Sequence, residues 1–164
     1  MKIFIAADHA GFELKEFLKK SLINDGKDVN DCGAHELVEG DDYPQYISKV
    51  AQAVSEAEIA RRDGHADKST AKEVRGIVIG GSGQGEAIVS NRYDAVRAVV
   101  YYGGPEDIIR LSRMHNDANV LSLGARFLSE GDALNAVKIW LTTPFSDDPK
   151  YKRRIKEVEE MMKK

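Results

Sequence analysis

The chain has 164 residues, 42% hydrophobic and 31% charged, with a formal net charge of −3. That length fits about one domain with one buried core, and the composition excludes a disordered or fibrous chain. The acidic balance argues against nucleic acid or an anionic membrane as the main partner.

Lys2 to Ala7 is a short β-favouring apolar run, too short for a signal-peptide core or a membrane span. The single cysteine, Cys32, can close no internal disulfide, so a cytoplasmic location is expected. Gly11 to Asn24 places Leu14, Phe17, Leu18 and Leu22 on one helical stripe. Asp25-Gly26 ends that helix, and Lys27 to Cys32 reads as a weak second strand whose polar setting suits a sheet edge. Tyr43-Pro44 opens a second helix, with Ile47, Val50, Ala51 and Val54 at helical spacing and an expected end near Ile59. The charged stretch from Ala60 to Glu73 lacks apolar periodicity and contains Asp63-Gly64, which suits a solvated loop or a helix extension.

Gly76 to Gly80 reads as a third strand, followed by a glycine-rich loop and a helix through Asn91. Val96 to Val100 is a fourth strand, Pro105 to Ser112 a helix, and Asn119 to Leu123 a fifth strand. Gly131 to Leu141 is a helix with Leu134, Val137 and Leu141 inward, and Tyr151, Ile155, Val158 and Met162 mark an amphipathic terminal helix. Its stripe could pack on a partner subunit or back on its own domain, and periodicity does not separate the two. The alternation defines an α/β chain: a doubly wound parallel sheet of five strands with helices on both faces. Ligands in such sheets bind beyond the carboxyl ends of the strands, near the topological switch point. The residues there are Asp8 and His9, the glycine loop, Tyr101 and Tyr102, and Gly124 to Arg126.

The loop "GGSGQGE", residues 80–86, matches neither the G-x-G-x-x-G dinucleotide fingerprint nor a Walker A loop, since no G-K-[ST] follows. Backbone N–H groups at such a turn can hold an oxyanion, and a tight βα turn explains the glycines equally well. Glu86 beside an anion site suits a proton acceptor; a first-turn carboxylate complementing the helix dipole is the alternative. Two effects on its acidity oppose each other: helix N–H groups favour the charged form and burial disfavours it.

Taken together, "AADHAGFELK" at 6–15, "DYP" at 42–44, "GGSGQGEAIVSNR" at 80–92, "VRAVV" at 96–100 and "RMHNDANVLSLGAR" at 113–126 resemble the RpiB/LacAB family of sugar-phosphate isomerases. The resemblance runs in order along nearly the whole chain. It implies a flavodoxin-like, Rossmann-type αβα sandwich plus a C-terminal helix, with residues 1–164 as one domain and 142–164 as an arm on a partner subunit. It further implies a homodimer or dimer of dimers with the active site between subunits, a phosphorylated sugar as substrate, and no metal or organic cofactor. The implied reaction is aldose–ketose interconversion through a cis-enediol. Ribose 5-phosphate to ribulose 5-phosphate leads, with a six-carbon aldose phosphate such as allose or galactose 6-phosphate as the alternative within the chemistry. A non-catalytic sugar-phosphate-binding module is the alternative outside it.

The family's site residues carry over by position. Asp8 and His9 match a first-strand pair that holds sugar hydroxyls and helps at the ring-opening or phosphate end, where an exposed turn is the plain reading. Tyr43 matches a tyrosine near the sugar. Many members have a cysteine where this chain has Gly80; a second branch pairs glycine there with a glutamate at the loop's end and uses it as base, which assigns that role to Glu86. Ser82 matches a loop hydroxyl that relays a proton, and the amides of Gly81, Gly83 and Gly85 would receive the enediolate. His115 matches a ring-opening histidine, which otherwise reads as a cation at a helix C-terminus, and Asn116 would steady the enediolate oxygens. Arg126 matches a phosphate-binding arginine, joined by Lys150 and Arg154 from the neighbouring subunit. Lys150 stands where arginine is usual and Tyr151 where histidine is usual, so charge is kept without bidentate geometry. Arg113 is a further source of charge, Cys32 reads as structural, and the segment from Ala60 to Glu73 is longer than the family's usual connection.

Overall fold

In the computed structural model, which describes residues 1–64 and 73–161, five strands alternate with helices as the periodicity requires. β1 (Lys2–Ala7) leads through a 3-10 turn (His9–Gly11) into α1 (Phe12–Asn24), followed by β2 (Asp28–Asp31) and α2 (Pro44–Arg62). Then come β3 (Val74–Gly80), α3 (Gln84–Ser90), β4 (Ala98–Tyr101), α4 (Glu106–Asn116), β5 (Val120–Gly124), α5 (Glu130–Thr142) and α6 (Pro149–Met161).

All neighbouring strands pair in parallel, in the order β2-β1-β3-β5-β4. The sandwich is doubly wound and of the flavodoxin-like kind, with one difference: the flavodoxin order is 2-1-3-4-5, and here the last two strands are exchanged. Burial follows that exchange. β5 is buried at every residue, whereas β4 and β2, at the two edges, are only partly covered. One face of the sheet meets α1, α4 and α5 through Ile3, Ile5, Leu18, Ile77, Leu121, Ile109, Val137 and the fully buried Trp140. The other meets α2 and α3 through Ala6, Val78, Val120, Ile47, Val50 and Val54. Fully burying each of these large side chains contributes about 1.5–3 kcal/mol.

Element ends depart from the sequence reading where side chains prolong or shorten them. α2 continues to Arg62 because Arg61 pairs with Glu58 at 2.7 Å and the Asp63 amide donates to the Ile59 carbonyl. The expected insertion falls partly on the end of α2; residues 65–72 lie outside the described residues. α4 continues past Ser112 to Asn116, held by the Arg113–Asp117 pair at 2.8 Å and closed by Asp117 in the left-handed conformation, φ 45°. His115 and Asn116 therefore lie in the last turn of a helix. β4 starts at Ala98 because Ala95 takes φ 60° and the Val96 amide donates to the Tyr93 carbonyl, closing a turn.

α6 lies against its own chain at α4. Tyr151 stacks on His115, with ring centroids 4.1 Å apart, and Glu159 accepts from Arg97 at 3.3 Å. Its apolar stripe is only partly covered: Tyr151 and Ile155 are half-buried and Val158 is 57% exposed. No described helix is long and apolar enough to cross a membrane.

Candidate active site

The register aligns the carboxyl ends of the central strands: Ala7 pairs with Ile79, and Gly80 with Gly124. The residues following β1, β3 and β5 consequently converge at one edge of the sheet, at the β1/β3 switch point. There they line a cavity of about 320 Å³ with Asp8, His9, Ala10, Tyr43, Gly81, Ser82, Gly85, Glu86, Arg126 and Phe127.

Asp8 is buried, 7% exposed, and its Oδ1 accepts from the Gly11 amide at 3.1 Å, capping the 3-10 turn. His9 is half-buried, and both its backbone N–H and its ring Nδ1 donate to Asp41 Oδ1, each at 2.8 Å. That hydrogen bond raises the imidazole above its ordinary pKa, with burial opposing it and the carboxylates of Asp8, Glu39 and Asp41 adding to it.

Glu86 sits in the first turn of α3, yet it is only 4% exposed. Burial raises its pKa above the usual glutamate value, the helix backbone works against that rise, and Asp8 adds to it. Of the two opposing effects, burial prevails. The carboxylate fits because residue 80 has no side chain: a Cβ on Gly80 would fall on the Glu86 carboxyl group itself. Gly80 and Glu86 thus form a steric pair, one side chain occupying the space the other position leaves empty. Gly85 plays a similar part for Tyr43, whose ring carbon Cζ would lie 2.8 Å from a Cβ there. Gly83, at φ 77°, turns the chain into α3. Arg126 is exposed, lies over Gly81, and has no ion pair among the described residues.

Five of the expected residues are not among those lining this cavity: Gly83, which turns the chain into α3, and His115, Asn116, Lys150 and Arg154. His115 and Asn116 end α4, which descends to the amino-terminal end of β5, and β5 spans about 13 Å. Lys150 and Arg154 are exposed on α6 beside them, with Lys150 Nζ 4.5 Å from the centre of the Tyr151 ring. Arg113 is not available as a substrate cation: it is 3% exposed, pairs with Asp117, and donates to the carbonyls of Thr143 and Ala118. Cys32 is half-buried outside the cavity, and burial raises its thiol pKa, as suits a structural cysteine.

Two residues at the site escaped the sequence reading. Asp41 directly precedes the "DYP" segment and carries no role in the sequence reading. Phe127 follows Arg126 at the rim, 64% exposed and 6.0 Å from the Tyr102 ring centre. Asp8, His9 and Asp41 bring one ligand atom each within 4.8 Å of one another, a set that could hold a divalent cation. In this structure His9 Nδ1 and Asp41 Oδ1 engage each other and Asp8 Oδ1 takes the Gly11 amide, so we assign no metal there.

A larger cavity, about 580 Å³, lies at the opposite end of the sheet, lined in part by Glu58, Arg61, Glu73, Arg75, Arg113 and Asp117. Its cations are paired: Arg61 with Glu58, Arg75 with Glu73, and Arg113 with Asp117. Its carboxylates are engaged in those pairs, and we place the chemistry at the smaller cavity, where the glycine loop and the buried Glu86 meet.

A doubly wound α/β fold with a buried carboxyl group, a histidine and an arginine that has no ion pair among the described residues, gathered at its switch point, has the features of a small-molecule enzyme site. The chain belongs to the ribose/galactose isomerase family and is an aldose–ketose isomerase: the family model described as Ribose/Galactose Isomerase matches residues 3–158. A protein named ribose-5-phosphate isomerase B from Mycolicibacterium paratuberculosis is 33% identical over 156 residues, covering 94% of this chain and 87% of that protein. The Escherichia coli protein of the same name is 38% identical over 140 residues, covering 85% and 83%. The fold is similar to that of the Mycoplasma genitalium ribose-5-phosphate isomerase B crystallised with bound ribulose-5-phosphate: TM-score 0.85, 29% identity, coverage of 99% of this chain and 97% of that one.

Proposed function

We propose that the chain interconverts ribose 5-phosphate and ribulose 5-phosphate through a cis-enediol, with Glu86 as the base. The observation that carries this is the buried Glu86 carboxyl group, seated in the space left by Gly80 and opening on a cavity shared with Asp8, His9 and Ser82. A carboxylate made less acidic by burial is better matched to abstracting a carbon-bound proton near neutral pH. It takes the proton from C2 of the open-chain aldose, and the electron pair forms the C1–C2 double bond while the C1 oxygen takes the charge. Ser82 relays a proton from O2 to O1, and Glu86 returns its proton to C1, leaving the C2 carbonyl of the ketose. The amides of Gly81, Gly83 and Gly85 and the side chain of Asn116 receive the enediolate charge.

His9, Tyr43 and Arg126 hold the substrate, with Asp8 assisting ring opening. His115 moves a proton from the O1 hydroxyl to the ring oxygen, and Lys150 and Arg154 join Arg126 on the phosphate. Supporting a two-copy site is the position of these groups at the far end of β5 in one chain, beside an apolar stripe on α6 that its own domain covers only in part. On this reading residues 1–164 form one domain, 142–164 act as an arm, and a cytoplasmic homodimer or dimer of dimers carries composite sites.

The test is ribulose 5-phosphate formation by native protein and Glu86→Gln side by side. We expect turnover by the first and a loss of about a hundredfold or more in kcat in the second. Activity that survives the substitution removes Glu86 as base. Faster turnover of allose 6-phosphate or galactose 6-phosphate by native protein moves the substrate to the six-carbon class, and stabilising binding without turnover of any of these makes the chain a binding module.

A further inference from the structure

The cavity sorts its charges: Asp8 and Glu86 are carboxylates, whereas His9 and Arg126 are its cationic groups. A phosphate dianion is repelled by the first pair and held by the second. His9 can serve only if its ring presents an N–H, and one residue outside the cavity lining decides that. Asp41 Oδ1 receives both the His9 backbone N–H and ring Nδ1, each at 2.8 Å. The Asp41 side chain is 6% exposed, and its Oδ2 is buried without a hydrogen bond. The Tyr46 hydroxyl comes near enough to feel that charge: burial first, then the Asp41 carboxylate, raises the phenol pKa. A buried carboxylate with one oxygen given entirely to one histidine is costly unless that histidine carries charge.

We propose that Asp41 is a positioning residue for substrate binding: it locks the His9 ring with Nδ1 on the buried carboxylate, leaving Nε2–H to donate to the substrate's phosphate. The same oxygen ties the segment before α2 to the carboxyl end of β1 through the His9 amide. His9 Nε2 makes no hydrogen bond among the described residues, so that donor is open. The ring faces Asp8, Glu39 and Asp41 as negative groups, with Glu86 and Arg126 across the cavity. Asp41 acts by direct contact, and His9 consequently stays charged above its ordinary titration range.

The proposal rests on the phosphosugar reading above, and its test separates the two. Asp41→Asn keeps an oxygen acceptor for both His9 donors and removes the charge, while Asp41→Ala removes both. At a pH between the His9 titration midpoints of the two proteins, we expect Asp41→Asn to raise KM for ribose 5-phosphate about tenfold, the loss of one charge-assisted hydrogen bond, with kcat within about twofold. Below both midpoints, where His9 is protonated in either protein, the KM values should converge; with Asp41→Ala they should stay apart because the ring is no longer held. In a His9→Gln background, Asp41→Asn should change KM no further. Equal changes in kcat and KM at every pH, or an undiminished effect in the His9→Gln background, would overturn the proposal. Independently of turnover, NMR titration of the His9 ring should show a lower midpoint in Asp41→Asn, and inorganic phosphate should raise that midpoint in the native protein more than in the variant. An unchanged His9 titration overturns the role of Asp41 even in an active isomerase. A lowered midpoint with a diminished phosphate response sustains it even if ribose 5-phosphate is not the substrate.

Discussion

The two ends of the sheet carry the two groups of expected site residues, and they are built differently. At the carboxyl ends of β1 and β3, side chains are packed to van der Waals contact: Glu86 occupies the space over Gly80, Tyr43 leans over Gly85, and His9 is pinned by Asp41. At the far end of α4, the His115 ring stacks on Tyr151, and Lys150 and Arg154 are exposed. The first is a cavity that holds a buried carboxyl group whose pKa burial raises. The second presents Lys150 and Arg154 as exposed charges beside His115 and Asn116. The contrast teaches that packing within one chain completes the cavity around Glu86, whereas the groups at the far end of α4 have no such enclosure among the described residues and, on the proposed reading, complete a site only against a second copy.

The sharpest way to break that comparison is to fill the space at residue 80. Gly80→Cys puts a side chain onto the Glu86 carboxylate, and we expect kcat to fall about a hundredfold, close to the loss in Glu86→Gln. A crystal structure of the variant should show Glu86 displaced; near-native turnover would mean that the carboxylate's seat is not what catalysis uses. A smaller but more direct comparison mixes two crippled proteins. Glu86→Gln and His115→Gln, dissociated and reassembled together, should regain about a quarter of native activity, because half the dimers are mixed and one of their two sites is intact. If both groups act from one chain, mixing restores nothing.

The smallest effect concerns stability. Glu86 has a raised pKa in the folded state, so the native protein binds more protons than the unfolded one between the unfolded glutamate value and the folded one. Stability therefore falls as pH rises through that window, and the cost is complete above the folded pKa. Glu86→Gln removes that cost and should melt about 2–4 °C above the native protein at pH 7.5, with the gap closing under acid conditions. A variant that melts lower at pH 7.5 would show that the carboxylate is held by favourable contacts instead of tolerated for its chemistry.

Much of this was legible along the chain because it depends on short-range pattern. Alternating apolar runs fixed five strands and their helices, Pro44 marked the start of α2, and glycines after β3 marked the turn into α3. Helix ends were less legible: α4 outlasts its apolar stripe through the Arg113–Asp117 pair, an interaction of side chains that periodicity does not weigh. The same pair, with the buried carbonyls of Ala118 and Thr143, made Arg113 a structural cation, although its neighbour His115 pointed to substrate. Asp41 was missed because nothing local distinguishes it from the other acids before Tyr43; its meaning comes from His9, 32 residues away.

By itself the sequence determined the α/β class, the strand count, the sheet-end location of the ligand residues and the family resemblance, since each is written in residue type and spacing. Only the tertiary structure decided that β5 lies inside β4, that burial outweighs the helix backbone at Glu86, and that Gly80 is vacant for that carboxylate's sake. Strand order, desolvation and steric exclusion are properties of groups brought together from distant parts of the chain, and no local pattern contains them.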